Sequence, residues 1–281
     1  LAGYQMPQQK LVNMALETYP SEHTKLSILG YFVDGLIRLP GSLTKAEFEA
    51  DPWQADKRSV DRDEKRLTTK GRVGIRYDAL FGGNLNNEIE ITAYGTIKFF
   101  HRTAKDYRII NRYGLGVSGK YINKSRIFKR MNEFSIGGDL FSQPARTEYY
   151  DNISGQKGDQ LIQLESENIV NKGFYISDNF EILKRKLFVL LTARYDNVMY
   201  SQTEETLPAR EDEKPYSAFT PKMSMNYKLN DNTSVYASYG LSFDAPAANE
   251  MSSADPEFLF NKDLKPQQSN NMEAGIKGNV L

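Results

Sequence analysis

The chain contains two histidines, His23 and His101, and no cysteine, so the side chains that most often perform nucleophilic or zinc chemistry are scarce. Ser-His-Asp catalysis needs a histidine that a third group orients. His23 lies in a predicted turn and His101 at a predicted strand end. Two histidines so far apart in sequence are also poor zinc ligands. We interpret both as polar histidines without a chemical role, and we expect no catalytic residue and no metal site.

Acidic and glycine-rich segments are the next candidates for chemistry. Carboxylates such as Glu204-Glu205 and the Glu-Asp-Glu run at 211–213 serve elsewhere in acid–base catalysis or calcium binding. Exposed loop charge explains them more simply. Gly114 and Gly116 lie within a predicted strand that no helix follows, so they do not form a dinucleotide-binding turn. We therefore expect a protein that is not an enzyme and carries no cofactor.

Two groups of arginine and tyrosine remain, and their chemistry is recognition. The segment 101–108 is basic and contains an aromatic residue, and a second group follows at 146–150. Guanidinium groups pair bidentately with carboxylates and similar oxygen anions. The candidate ligand-binding residues are Arg102, Tyr107, Arg108, Arg146, Tyr149 and Tyr150. An aromatic belt at a membrane interface, or an ordinary soluble loop rim, is the alternative interpretation of the same residues.

Composition limits the elements that can position these side chains. The chain has 281 residues, 36 Lys and Arg against 36 Asp and Glu, and 40% hydrophobic residues. Net neutrality argues against a nucleic-acid-binding protein, which needs a basic face. The absence of cysteine excludes disulfides and thiolate sites. The longest apolar runs, such as 187–191, are too short for a membrane-spanning helix.

Alternation of apolar and polar residues is the dominant pattern. In 88–100, one face carries Ile89, Ile91 and Ile97, and the other face carries Glu88, Glu90 and Lys98. A period of two predicts half-buried strands. The predicted strands are 8–19, 26–33, 69–79, 88–100, 112–122, 132–142, 170–182, 187–200, 218–229, 233–243 and 269–280. Pro221 makes one of them weaker or marks a bulge.

The connectors alternate between short and long. Short turns are predicted at 80–87, 123–131, 183–186 and 230–233, and long connectors at 34–68, 101–111, 143–169, 201–217 and 244–268. Long strands joined by turns of alternating length are typical of an antiparallel up-and-down transmembrane β-barrel, which must close because an open sheet edge is not tolerated in lipid. Within the first long connector, a helix is predicted at 42–50 with Ser42 as its N-cap.

The C-terminal third carries a series of short motifs. They are Pro221-Lys222, the turn 230–233, Tyr236-Ala237-Ser238-Tyr239, the Phe-Asp-Ala-Pro segment at 243–246, the Asn-Lys-Asp-Leu-Lys-Pro-Gln segment at 261–267, and the Glu-Ala-Gly-Ile-Lys segment at 273–277. Together they resemble the β-barrel of TonB-dependent outer-membrane receptors. Asp244 stands where an arginine is common in the family, and Gln267 where a glutamate is common. The motifs cover about the last 65 residues well, and the rhythm of strands and loops covers the rest loosely.

The resemblance implies an outer-membrane receptor of Gram-negative cells that binds a ferric siderophore or similar scarce nutrient at external loops. Import would use energy from the TonB complex through a plug domain. The family barrel has 22 strands, so residues 1–281 are expected to form about eleven of them, with the plug and the C-terminal strands absent from this sequence. A passive porin or a barrel adhesin without energy coupling is the alternative; an outer-membrane enzyme and a soluble all-β domain are less favoured.

The resemblance also bears on the ligand and on the orientation. Similar haem receptors place a histidine between the two loop motifs, and no histidine occurs at 243–264. A ferric chelate is therefore preferred, with cobalamin, sugars and other metals still open. The long connectors face outside, where the six arginine and tyrosine candidates would line a vestibule. The short turns face the periplasm, and their cations at 124–130 and 184–186 either meet anionic lipid head groups or are simply solvated.

Overall fold

The computed structural model describes residues 7–206, 209–255 and 257–278. These residues form one antiparallel sheet of eleven strands whose spatial order is the sequence order. The all-β, up-and-down prediction is therefore confirmed, and the predicted end of the last strand, at 280, lies outside the described residues. The strands are β1 (Gln8–Ser21), β2 (Thr24–Arg38), β3 (Lys65–Phe81), β4 (Asn87–Thr103), β5 (Asp106–Ile127), β6 (Arg130–Ile153), β7 (Gln156–Leu183), β8 (Leu187–Glu204), β9 (Arg210–Lys228), β10 (Thr233–Asp244) and β11 (Gln267–Gly278).

The two ends of the sheet differ, as the alternation of connectors predicts. One end, which we call the turn end, has connectors of two to five residues, and the other, the loop end, carries the connectors 39–64 and 245–266. The predicted loops at 101–111, 143–169 and 201–217 are wrong for most of their length. β4 and β5 continue into 101–111 and meet in a tight turn at 104–105, and β6 and β7 continue into 143–169 and meet at 154–155. β8 and β9 extend into 201–217 from either side. In these segments the apolar alternation has ended, but the backbone ladder persists.

The long connector 39–64 contains two short helices, α1 (Lys45–Ala50) and α2 (Lys57–Asp61). The cap of α1 is Thr44 and not the predicted Ser42. The Thr44 hydroxyl accepts a bond from the Glu47 amide at 3.3 Å, and the Glu47 carboxylate accepts one from the Thr44 amide at 2.8 Å. This reciprocal capping box fixes where the helix begins. No helix among the described residues is long and apolar enough to cross a membrane.

One face of the sheet is apolar and uncovered. Leu115, Phe174 and Phe219 on this face are 73%, 55% and 62% exposed. An aromatic pair lies at each end of the apolar part of this face. Phe99 contacts Tyr113 toward the loop end, and Phe81 contacts Tyr121 toward the turn end. Tyr113 and Tyr121 are eight residues apart, about 26 Å at 3.3 Å per residue. That length matches the roughly 25 Å apolar band of an outer-membrane barrel with its aromatic girdles.

The opposite face is polar and contains tyrosines that lie across glycines of the neighbouring strand. Tyr94 faces Gly116, and a Cβ atom on Gly116 would lie 2.2 Å from the Tyr94 ring. The Tyr94 ring stacks on Phe141 at 5.8 Å and receives Arg72 at 5.4 Å. Glycine is therefore needed at this position for close approach. The same arrangement recurs at two further cross-strand pairs, Tyr175 with Gly137 and Tyr236 with Gly275.

The buried hydrophobic cluster lies on the polar face at the loop end, where the connector 245–266 folds back onto β8 and β9. Met251 and Phe260 are 0% and 3% exposed, and they pack with Tyr200 and Tyr216.

β9 continues through Pro221 with its pairing to β8 unbroken. Its pairing with β10 runs only from Lys228 to Lys222, so at Pro221 it pairs with β8 alone. The missing N–H of Pro221 thus coincides with the point where β10 separates from β9.

Candidate functional site

Two rows of cations cross β3, β4 and β5 on the polar face at the loop end; we call them the cationic wall. Strand register places Arg66 opposite Arg102, and Arg102 opposite Arg108. Four residues deeper, the same register aligns a second row. At 3.3 Å per residue the two rows are about 13 Å apart. The second row consists of Lys70, Lys98 and Arg112.

The upper row has few acidic partners. In the described part of the chain, Arg66 and Arg102 take part in no ion pair, and the Nε atoms of Arg102 and Arg108 are buried without a hydrogen-bond partner. The Arg108 Nη2 atom is 3.3 Å from the Asp106 carboxylate. Buried guanidinium donors are normally satisfied. The row therefore holds guanidinium groups whose donors and charge are not fully satisfied within the described chain, which suits an oxygen-rich ligand.

Tyr149 closes the upper row on β6, directly opposite Arg108. The Arg108 guanidinium lies 4.4 Å from the centre of the Tyr149 ring, and the Tyr149 hydroxyl donates to Glu165 at 3.2 Å. This cation–π contact keeps the guanidinium beside the aromatic ring. These residues lie beyond Tyr113 and outside the apolar band, where burial raises the pKa of both the Glu165 carboxyl and the Tyr149 phenol.

The lower row is also poorly neutralised. The Arg112 Nη2 atom is 3.2 Å from a Glu167 carboxylate oxygen, whereas Lys98 lies 5.5 Å from the Phe100 ring. Among the described residues Lys70 forms no ion pair. Like charges directly opposite each other across strands are destabilising. Two consecutive rows of this kind are therefore costly unless an anion occupies the wall, and the geometry of the wall is suited to binding one.

The structure separates the six sequence-predicted binding residues into two sets. Arg102, Arg108 and Tyr149 share the upper row on the polar face. The other three lie on the opposite face: Tyr107 is paired with Tyr150, and Arg146 is paired with Asn111. The Tyr150 hydroxyl and the Arg146 guanidinium both contact Glu148.

Four members of the wall were not identified from the sequence: Arg66, Lys70, Lys98 and Arg112. Lys98 and Arg112 occupy polar positions of predicted strands, where a charged side chain facing solvent is ordinary. Cations at paired positions of three adjacent strands identify the wall, but which positions pair is known only once the strand register is known. His101 lies on the apolar face near Tyr107, and no cluster of metal-binding side chains occurs among the described residues.

Comparison with known proteins agrees with this architecture. Residues 22–280 match the family model of the TonB dependent receptor-like β-barrel. The chain belongs to this family. In such a barrel the polar face lines the lumen and the apolar face contacts lipid, so the cationic wall of this TonB-dependent receptor barrel belongs to the lumen. The family is one of the outer membrane.

Three solved structures with the same fold are siderophore or ferric-chelate receptors. The ferric citrate transporter FecA, in unliganded form, is 17% identical with a TM-score of 0.79 over 98% of this chain and 41% of that chain. The siderophore receptor PiuA from Acinetobacter baumannii is 14% identical, with a TM-score of 0.72 over 98% of this chain and 48% of that one. FpvA from P. aeruginosa, bound to a heterologous pyoverdine, is 17% identical, with a TM-score of 0.72 over 98% and 40%. At these identities the likeness shows the fold, and this chain spans less than half the length of the structures it matches.

Proposed function

We propose that the protein is an outer-membrane receptor that binds an anionic ferric chelate at the cationic wall and imports it with TonB-dependent energy. The wall is the observation that carries the proposal. It places six cations in two rows at the loop end of the lumenal face, where a ligand entering from outside would first meet the barrel. Ferric siderophores and ferric citrate present several carboxylate, hydroxamate or catecholate oxygens, which suit guanidinium donors.

The acidic side chains of the same face favour one position for such a ligand. Glu165 and Glu167 lie on β7, and Glu204 lies opposite Glu165 on β8. An anion is therefore attracted toward β3–β5 and repelled from β7–β8. Tyr149, between the two regions, offers an aromatic surface beside Arg108. The loop end is the external end in this proposal, and the turn end is periplasmic.

The test compares two sets of substitutions in the intact receptor that contains this barrel. Arg102→Gln/Arg108→Gln removes two charges from the wall, and Arg146→Gln is the matched control because Arg146 lies on the opposite face. Each charge-assisted hydrogen bond contributes about 1.5–3 kcal/mol, so the double variant should bind ferric citrate or a ferric catecholate at least roughly tenfold more weakly. Fluorescence titration of the purified receptor measures this, and heat-modifiable gel mobility checks that the barrel is folded.

Arg146→Gln should change affinity by less than about twofold. Equal affinities for the wall variant and the control would refute the assignment of the wall. The energy requirement is tested separately with cells that take up the radiolabelled chelate. Uptake should stop when the inner membrane is de-energised, and uptake that continued would favour the alternative of a passive porin.

A further inference from the structure

A second cationic surface lies at the opposite end of the sheet, in the turns that join β5 to β6 and β7 to β8. The segments 124–130 and 184–186 contain no acidic residue. Lys124 pairs with Glu88 at 3.2 Å. Among the described residues, the other six cations take part in no ion pair. We call these six the basic turn cluster: Arg126, Lys129, Arg130, Lys184, Arg185 and Lys186.

A buried carboxylate holds the two turns together. Glu181 on β7 is 3% exposed, and its Oε2 atom accepts a hydrogen bond from the Met131 amide at 2.8 Å. Its Oε1 atom accepts a bond from the Arg185 amide. Beside this clamp, the Asn132 side chain donates to Asp178. The carboxylate of Glu181 thus binds backbone amides of both turns and not the cationic side chains.

The arrangement concentrates like charge at a fixed place. Glu181 offsets one of the six charges, so a clear excess of positive charge remains within two adjacent turns. Exposed like charges repel one another by about 1 kcal/mol at 4 Å in water, and free turns would move apart to reduce this. The Glu181 clamp prevents that movement, which indicates a surface built to meet an anion.

The surroundings of the cluster place it at the boundary of the apolar face. Ile127, Ile182 and Leu183 beside the turns are 43%, 45% and 46% exposed. At the tip of the β5–β6 hairpin, Phe128 is 89% exposed with φ of 51°, and Lys129 follows with φ of 62°. Two-residue hairpin turns of this type strongly prefer Asn-Gly, and a bulky residue at positive φ is strained. Strain that exposes an aromatic side chain points to contact with a partner surface.

We propose that the basic turn cluster binds the phosphate head groups of anionic phospholipid in the periplasmic leaflet. The proposal rests on the membrane location given under the proposed function. Arg130 shares a row with Ile127 at the edge of the apolar face, and a guanidinium at this place can pair bidentately with a phosphate. The lysines act as point charges in the negative potential of the leaflet. The exposed apolar side chains next to them fit the acyl boundary and favour a bilayer over a soluble acidic protein.

The chain has one tryptophan, Trp53, which is 80% exposed in the connector at the loop end. Residues 1–281 of the intact receptor with Trp53→Phe/Leu183→Trp therefore contain a single reporter beside the cluster, and tryptophans in the remainder of the receptor are replaced by phenylalanine. It is reconstituted in phosphatidylcholine vesicles that contain a fixed minor share of brominated phosphatidylglycerol or brominated phosphatidylcholine. Both leaflets have the same composition, so the orientation of the protein does not matter. Quenching by the two brominated lipids gives the local enrichment of the anionic one.

We expect several-fold stronger quenching by brominated phosphatidylglycerol at low ionic strength, since each cation near a charged membrane contributes roughly fivefold. Adding Arg130→Gln/Lys184→Gln/Lys186→Gln removes three of the six charges and should reduce the difference between the two lipids several-fold. The matched control, Lys45→Gln/Lys57→Gln/Lys105→Gln at the loop end, should keep the difference. In all these variants Arg185 is left in place because its backbone has φ of 57°.

Equal quenching by the two lipids in the protein with an intact cluster would overturn the proposal and leave the cluster as a surface for an acidic protein. A preference for phosphatidylglycerol that was undiminished in the Arg130/Lys184/Lys186 variant would overturn it as well. Quenching by neither lipid would refute the membrane placement of this end of the barrel. The ferric chelate titration does not depend on this result, so the two proposals fail separately.

Discussion

Met251 anchors the connector 245–266 to the polar face of β8 and β9. Replacing Met251 by alanine tests whether that connector is a fixed part of the barrel. The side chain is fully buried against Tyr200, Tyr216 and Phe260. Three polar bonds reinforce the contact: the Tyr200 hydroxyl donates to the Pro246 carbonyl at 2.7 Å, the Tyr216 hydroxyl to Leu264 at 3.1 Å, and the Lys214 ammonium to Asn261 at 2.8 Å.

Truncation of a fully buried methionine costs about 2–5 kcal/mol. The connector is a local unit attached to long ladders that do not depend on it, so the loss should appear as local opening and not as unfolding of the sheet. Two amides report on it directly: Asn261 donates to the Met251 carbonyl at 2.7 Å, and Ser253 donates to Leu259 at 3.1 Å. Their hydrogen-exchange protection should fall by about 30-fold at the lower bound and about 4000-fold at the upper.

Hydrogen exchange with mass spectrometry on the detergent-solubilised receptor measures this change. Met272→Ala is the control, because Met272 is 80% exposed on β11 and should leave the connector unchanged. Unchanged protection in Met251→Ala would show that the polar bonds alone fix the connector. Equal loss of protection in β5 and in the connector would show that the connector is not a separate unit. Either result refutes the reasoning.

Two further predictions concern the polar face and the connector 39–64. Gly116→Ala should displace Tyr94 and lower the free energy of unfolding, measured in urea, by about 1–3 kcal/mol. Gly119→Ala is the control on the same strand, because a Cβ atom there would have no atom within 4 Å and should leave the free energy of unfolding unchanged. Equal effects of the two substitutions would exclude the close-approach explanation. Asp56 accepts a bond from the Ser59 amide at 3.0 Å, which lowers the pKa of the carboxyl. Its stabilisation of α2 is present above the unfolded-state pKa and is lost as pH falls through the lower folded-state value, so proteolysis of 39–64 should increase in acid. Asp56→Asn keeps an N-cap and should weaken this pH dependence, and an identical pH profile would contradict the role of Asp56.

Alternation predicted the strands well because lipid imposes it. Within the apolar band every second side chain must be apolar, so positions such as Ile89, Ile91 and Ile97 on β4 mark a strand without ambiguity. Outside the band the constraint is absent. β7 runs from Gln156 to Leu183, and its first half lies in water on both faces, where polar residues in any order satisfy the ladder. The sequence therefore predicted the number of strands correctly and the length of the hairpins at the loop end incorrectly.

The candidate site was only half predictable for a related reason. Arg102 and Arg146 both looked like external cations, but an error of one residue in a turn moves a whole strand's side chains to the other face. The turn between β5 and β6 has two residues with positive φ, Phe128 and Lys129, and neither is the glycine or asparagine that would have located it. Without that register, the pairing of Arg108 with Tyr149 and of Asn111 with Arg146 could not be recognised.

Net neutrality of the chain conceals a strong separation of charge, and that separation connects the two proposals. Cations are concentrated on β3–β5 at the loop end and in the turns at the other end, whereas Glu165, Glu167 and Glu204 face the same lumen from β7 and β8. Coulomb energies fall with distance and are screened by salt within about 10 Å, so each group acts on what lies next to it and not on the distant groups that balance it. A neutral barrel can therefore attract an anionic ligand at one end and an anionic membrane surface at the other, because local arrangement and not net charge decides what each surface binds.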